Sequence, residues 1–279
     1  MILAIVITYF PEKELLERNL EAFVDEVDKV LIWENTPLDK KLVYRFINHT
    51  KVEYCGDGIN SISHALNYAW RYAEKNGYDY ILTMDQDSVF YNFSVFLKMT
   101  VYNERYIGGI WSPNVVTDIT KVRRNGSLDV EERYNAVTSG MLLRLSLIAK
   151  VGGWNESFVI DGVDDEFCFR SSRYGEKVFR FMNVFLIQKY GNPQSVSIGP
   201  YNYVLRNDSV ARLYSIYKSI ILLIRMYPEQ VSYKQWCRAY WGKRVKWILL
   251  FEDNGFKKVY SIVKGIISGF FCKLPIKEI

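Results

Sequence analysis

The sequence predicts an α/β protein: a mostly parallel central sheet flanked by helices, followed by a helical C-terminal extension. Three observations predict it. Short apolar runs rich in β-branched residues alternate with segments of helical spacing over residues 1–90. Each run stops at polar or turn-forming residues. Beyond residue 200 the apolar spacing is helical.

Leu3–Tyr9 reads as a buried strand closed by Phe10-Pro11, and Leu15, Leu16, Leu20 and Phe23 then recur at helical spacing. Val30–Trp33 is a second strand, ended by Glu34-Asn35-Thr36-Pro37, and Val52–Cys55 a third, followed by Gly56-Asp57-Gly58. Ala65, Ala69, Trp70 and Ala73 line one side of a helix over Ser61–Asn76, and Tyr80–Met84 is a fourth strand running into Asp85-Gln86-Asp87-Ser88. Gly108–Trp111 and Ala136–Arg144 read as strands around a polar loop, Asp118–Glu132. Ser146–Val151 is a helical turn, and the acid-rich Asp161–Ser171 opens a further helix. Val210–Met226, Tyr233–Phe251 and Phe256–Phe271 complete the helices. The expected organisation is a sheet domain over 1–200, with halves at about 1–90 and 91–200, then an extension over 201–279.

An apolar fraction of 49% with 24% charged residues excludes a disordered, collagen-like or disulfide-stapled chain. Cys55, Cys168, Cys237 and Cys272 are scattered without a CxxC pair, as expected in a reducing compartment. No basic residue precedes the first apolar run, and no run reaches the length of a membrane span. A cytoplasmic location is expected. The net charge of +5 is uneven: residues 200–279 hold 14 basic against 5 acidic residues, and residues 1–199 hold 22 against 26. An acidic body without a nucleic-acid motif argues against nucleic acid, while the basic extension suits an anionic partner.

In a parallel sheet the ligand sits beyond the carboxyl ends of the strands. Thr8-Tyr9, Glu34-Asn35, Gly56–Asn60 and Asp85–Ser88 should therefore converge on one pocket. Asp85 and Asp87, two apart on a turn, can both face a hard divalent cation such as Mg²⁺ or Mn²⁺ shared with substrate phosphates. The bland alternative is a polar strand end where Asp favours the turn. Four acids within Asp161–Glu166 repel one another unless a cation or a function holds them, and one can serve as general base. An acidic helix N-terminus stabilised by the macrodipole explains them as well. The strand with Asp85-Gln86-Asp87 also fits a haloacid-dehalogenase-like phosphatase with Asp85 as nucleophile, and Gly56-Asp57-Gly58-Ile59-Asn60 resembles that family's metal motif, but in reversed order.

Taken in order, a set of segments resembles glycosyltransferase family 2, the inverting nucleotide-sugar transferases of GT-A fold, and within it the rhamnosyltransferase-like branch. The segments are Ile5–Tyr9, Val30–Thr36, Gly58–Asn60 with Ala65-Leu66-Asn67, Asp85–Ser88, Thr138–Leu142, Val151–Glu156 and Ile160–Arg170. The resemblance implies a GT-A nucleotide-diphospho-sugar transferase fold, Rossmann-like with a mostly parallel sheet. It implies that Thr8, Tyr9, Glu34, Asn35, Asp57 and Asn60 line the nucleotide. Asp85 then faces the ribose or sugar, and Asp87 the metal and diphosphate. Asp164 is implied as the base that deprotonates the acceptor, with Asp165, Glu166 and Arg170 orienting its segment. Where the family often places a histidine for metal or diphosphate, this chain has Gln188. Arg212 and Tyr217 resemble the branch's Arg/Tyr-rich stretch near the diphosphate. The implied donor is dTDP-rhamnose, then a UDP-hexose, and the acceptor a glycan or lipid-linked saccharide of a surface polysaccharide.

In the extension, Tyr260, Val263, Ile267 and Phe270, with Val259, Ile262, Ile266 and Phe271, form a broad apolar face beside Lys257, Lys258, Lys264 and Lys273. Trp236, Trp241 and Trp247 are interleaved with Arg238, Lys243, Arg244 and Lys246. Apolar, aromatic and basic together suit a helix lying in an anionic membrane surface, peripheral at the inner face of the plasma membrane. Helices packing on the sheet domain or on a second subunit suit the pattern equally. A non-catalytic, membrane-peripheral partner of a glycan-assembly complex is a further alternative, against which the intact Asp85, Asp87 and Asp164 argue.

Overall fold

The computed structural model describes residues 1–37, 47–103, 106, 109–117, 129–189, 194–198 and 201–274. The chain divides into two compact units, residues 1–116 with 122–188, and residues 117–121 with 189–278. The division falls at 188/189, ahead of the expected 200/201, because β10 (Gln194–Ile198) and β11 (Tyr201–Leu205) pair with each other in a sheet of their own.

The first unit runs β1 (Ile2–Thr8), α1 (Lys13–Glu21), β2 (Lys29–Glu34), β3 (Val52–Cys55), α2 (Ile62–Asn76), β4 (Tyr80–Asp85), β5 (Ser88–Tyr91) and α3 (Phe93–Met99). It continues with β6 (Gly109–Thr117), β7 (Val130–Arg133), β8 (Met141–Arg144), α4 (Leu145–Val151), α5 (Val163–Arg173) and β9 (Lys177–Gln188). The sheet order is β3-β2-β1-β4-β8-β6-β9-β5, with β7 on β9. β1 lies between β2 and β4 and every residue of it is buried, which is why it reads as an unbroken apolar run.

β3, β2, β1 and β4 are parallel, whereas β8 runs antiparallel to β4 and to β6, and β5 and β7 antiparallel to β9. The sheet is therefore parallel only in its first half. Parallel strands need a crossover of a dozen or more residues, which α1 and α2 provide; past Asp85, α3 separates β5 from β6, and α4 with α5 separates β8 from β9. Of the expected Asp118–Glu132 loop, residues 118–128 lie outside the described residues, and Val130–Glu132 belong to β7.

The second unit holds the β10–β11 hairpin, α6 (Val210–Met226), α7 (Val231–Phe251) and α8 (Gly255–Phe271). Ser209 caps α6 by accepting the Arg212 amide at 3.2 Å. Leu213, Tyr217, Ile248 and Ile262 form its apolar core. Beside them Glu252 is fully buried, bonded to Arg244 and, at 2.8 Å, to Lys258 Nζ. Arg244 also reaches Asp208 at 3.3 Å, and Lys258 donates to Asn207 Oδ1 at 2.7 Å. Arg244 and Lys258, expected among the basic surface residues, are interior, because buried cations persist where carboxylates pair them. Among the described residues no helix is long and apolar enough to cross a membrane.

One close approach fixes the layer behind the site. α2 begins at Ser61, whose Oγ accepts the His64 amide at 3.3 Å, and closes at left-handed Gly77. The loop after α4 lies against it: Asn67 accepts the Trp154 amide at 2.7 Å and donates to its carbonyl at 2.9 Å. Gly153 permits this, with φ +74° and a position where a Cβ would stand 2.4 Å from the Trp70 ring. Gly153→Ala adds backbone strain of about 1 kcal/mol and a clash of about 1–3 kcal/mol, so we expect it to be destabilised by roughly 2–4 kcal/mol in urea unfolding followed by tryptophan fluorescence.

Candidate active site

The parallel register brings the strand ends to one edge, pairing Thr8 with Glu34 and Ile7 with Asp85. From β1 the sheet order leads to β2 on one side and β4 on the other, so the crevice between β1 and β4 is the switch point where such sheets place ligands. Thr8 is buried; its hydroxyl donates to the Trp33 carbonyl at 3.1 Å, and its carbonyl accepts the Asn35 amide at 2.8 Å. Asn35 Oδ1 accepts from the Trp33 indole at 3.0 Å, and Glu34 is buried beside it. Tyr9 is half exposed. Gln86 spans the crevice, accepting the Tyr9 amide at 2.7 Å and donating to the Tyr9 carbonyl at 3.1 Å. Sequence reasoning passed over Gln86 as the spacer of Asp-x-Asp; no signal in the sequence marks its partner.

Asp85 is held from several directions. Its amide donates to Ser139 Oγ at 3.1 Å, its carbonyl accepts from Asn19 Nδ2, and its Oδ2 accepts from Gln188 Nε2 at 2.7 Å. Gln188 ends β9 opposite Ser88, so the residue in the family's histidine position does reach the Asp85 turn. Asp87 is half-buried in that turn.

The acidic segment forms the first turn of α5. Asp164 Oδ1 accepts the Asp165 amide at 3.0 Å, and Asp165 Oδ1 accepts from Asn135 Nδ2 at 2.6 Å. Desolvation first, then the Asp165 and Asp85 charges, push Asp164 up to about 8. The smallest of these contributions comes from Asp85 in the turn after β4. Glu166 is 1% exposed and Arg170 5%. They form a two-point pair at 3.0 and 2.9 Å, while Arg170 also donates to the Val151 and Gly153 carbonyls. Their charges answer each other and the main chain, and they hold α5 against the loop after α4.

Asp57 and Asn60 lie exposed in the loop after β3. His64 Nε2 lies 2.7 Å from Asp57 Oδ2, and Nδ1 lies 3.4 Å from Glu156 Oε2, with the ring edge-on to Trp33. Nothing in the sequence marks His64 as the partner of Asp57. Partial burial disfavours both charges of the Asp57–His64 pair, yet mutual attraction and the Ile59 amide outweigh it, so Asp57 titrates below 3.8 and His64 above 6.5.

Arg212 and Tyr217 belong to the second unit. Arg212 is exposed in the first turn of α6, whereas Tyr217, expected as a diphosphate contact, is 1% exposed in the helical core against the Trp241 ring. Its helical spacing is that of a core residue. Among the described residues no cluster of three or more His, Cys, Asp or Glu side chains is arranged to hold a metal. Asp85 and Asp87 supply two carboxylates, and Mg²⁺ commonly binds through one or two carboxylates plus substrate phosphates. The donor set fits a cation shared with a diphosphate, not a protein-only cage.

No family model matches the chain. The dTDP-rhamnosyl transferase RfbF of Shigella flexneri is 26% identical over 243 residues, covering 80% of this chain and 79% of that protein. Among solved structures, S. aureus TarS 1-349 in complex with UDP-GlcNAc is similar with a TM-score of 0.57 at 12% identity, covering 96% of this chain and 81% of its own. GalNAc-T7 with UDP, GalNAc and Mn²⁺ is similar with a TM-score of 0.58 at 8% identity, over 80% of this chain. This chain spans 47% of that protein, about half its length. The fold is that of the GT-A glycosyltransferases. With the rhamnosyl transferase likeness, it supports a nucleotide-sugar glycosyltransferase.

The Asp57–His64 pair gives a pH signature with a definite sign. His64 titrates above 6.5 when folded, so its contribution is full below that value and lost as pH rises through the folded pKa. Asp57 titrates below 3.8, so its contribution is present above that value and lost as pH falls through the folded pKa. We expect the gap in urea midpoint between the native chain and His64→Gln to be widest near about pH 5 and to shrink by about pH 8.5.

Proposed function

We propose that this chain is an inverting glycosyltransferase that moves a sugar from a nucleotide-diphosphate donor to a glycan or lipid-linked acceptor in the assembly of a cell-surface polysaccharide. The observation that carries this reading is the turn after β4, which sets Asp85 and Asp87 where the parallel strands end in a GT-A fold. The likeness to RfbF favours dTDP-rhamnose as donor, with a UDP-hexose next. A lipid-linked acceptor would be met at the membrane, so the proposed setting is the inner face of the plasma membrane.

In this reading Thr8, Tyr9, Glu34, Asn35, Asp57 and Asn60 receive the nucleotide, with Gln86 holding the Tyr9 main chain and His64 holding Asp57. Asp85 faces the ribose or sugar. A bound Mg²⁺ or Mn²⁺, held by Asp87 and Asp85, would neutralise charge on the departing diphosphate. Asp164 takes the proton of the acceptor hydroxyl as its oxygen attacks the anomeric carbon. The bond to the diphosphate oxygen breaks, its electron pair leaves with the nucleoside diphosphate, and configuration inverts without a covalent intermediate. A carboxyl raised above its ordinary range is a stronger base than a free aspartate, and its ionised fraction can take that proton. Asn135 steadies Asp165, and the Glu166–Arg170 pair steadies the helix start. The phosphatase alternative requires Asp85 to be an attacking nucleophile, whereas its Oδ2 is engaged by Gln188.

Asp164→Asn should lower transfer by about 10²–10⁴-fold while leaving the thermal shift by dTDP or UDP intact. Transfer at the native rate would mean that another group is the base. Asp87→Ala should abolish the Mn²⁺-dependent part of that thermal shift; an unchanged shift would remove Asp87 from cation binding.

A further inference from the structure

α8 is turned inside out relative to an ordinary amphipathic helix. Its inner face carries Ser261, Gly265 and Gly269, and these meet α6 at close range. A Cβ on Gly265 would lie 2.5 Å from the Tyr214 carbonyl, and one on Gly269 2.7 Å from Ile221 Cβ. The small residues fix which side faces in, so the large ones face out. Phe256 and Phe271 are each 87% exposed, Tyr260 71%, and Val263, Ile267 and Phe270 about half. At 100° per residue these six side chains fall within a single arc of roughly a third of the helix. Only Ile262 of the apolar set expected there is buried, with Val259 and Ile266 half-buried.

The charged residues of α8 itself are all lysines. Lys257 and Lys264 are exposed along one edge of the arc, and Lys273 follows the helix end. Neither α7 nor α8 contains an acidic residue; of the two acids between them, Glu252 is buried in its ion pairs and Asp253 is exposed ahead of the helix. Beside Lys264 a cavity of about 290 Å³, lined by Val210, Ala211, Tyr214, Tyr260 and Ser261, adjoins the face. An apolar arc with a basic edge matches the boundary of an anionic bilayer, where acyl chains take the rings and headgroup phosphates take the lysines. An antiparallel two-fold pairing with a second copy would bring the two lysine edges to the same side of the contact, which disfavours it.

We propose that α8 docks this protein on anionic membrane by the face of Phe256, Tyr260, Val263, Ile267, Phe270 and Phe271, with Lys257, Lys264 and Lys273 on headgroups. The bilayer is the occupant, and α8 rather than the tryptophan-rich α7 carries the contact. The full chain, without nucleotide, is sedimented with vesicles of phosphatidylcholine alone or with about a third phosphatidylglycerol. Binding without nucleotide keeps the outcome separate from the glycosyltransferase reading. The native chain should sediment with the mixed vesicles and lose binding in high salt. Phe256→Ser with Ile267→Ser and Phe271→Ser, and separately Lys257→Glu with Lys264→Glu, should each weaken partitioning at least about tenfold at unchanged melting temperature. Equal sedimentation of the native chain and both variants, no sedimentation of the native chain, or a native dimer that the serine variant disperses would overturn the proposal.

Discussion

The turn after β4 is the point on which the site's geometry rests. Asp85 pairs with Ile7 of β1 and is bonded through its amide to Ser139, its carbonyl to Asn19 and its carboxylate to Gln188. Four segments far apart in the chain thus meet on one residue, and Gln86 next to it ties the turn to Tyr9. Each such hydrogen bond contributes only about 1 kcal/mol net. Their joint effect is positional: a carboxylate whose main chain and side chain are both engaged has little freedom to drift from the ligand it must meet.

The start of α5 shows which of two opposing effects wins. The helix macrodipole favours negative charge in a first turn, by about 0.3–1 kcal/mol at exposed sites. A single tenfold change in acidity is about 1.4 kcal/mol, so the dipole alone cannot hold Asp164 near its ordinary value against desolvation and two neighbouring carboxylates. Asp165 is steadied by Asn135, and Glu166 by Arg170. The same four-acid run thus divides by environment: Glu166 is neutralised in the interior by a paired cation, and Asp164 is left as the group whose proton is easily gained and lost.

Much of the first half was legible in the sequence because β1, β2 and β4 are largely buried on both faces and the strands end abruptly. β1, β2, β3 and β4 lie within a residue or two of their expected limits. β9 escaped notice because Arg180, Asn183 and Gln188 interrupt its apolar pattern where one face meets less cover. The Asp85–Asp87 turn, the acidic start of α5 and the loop at Asp57 were all visible as residue types. Ser139, Asn19, Gln86 and His64 were not legible as partners, since a hydrogen-bonding residue names no distant partner by its identity. Counting charge also misled in the extension: Arg244 and Lys258 are basic in the tally but are cancelled inside by Asp208 and Glu252.

The helical unit carries the complementary lesson, that packing distance decides orientation before hydrophobicity does. Had α8 turned its rings toward α6, the backbone approach that Gly265 and Gly269 allow would be lost, because a phenylalanine needs several ångströms that this contact does not offer. The Lys258–Glu252–Arg244 pairs lock the same rotation from the helix start, since turning α8 about its axis would drag a buried ammonium out of its carboxylate. Two constraints of different chemistry, one steric and one ionic, therefore select the same face for solvent. That face is the least polar surface of the helix, so its exposure follows from how the unit is built and needs no looseness in the fold to explain it.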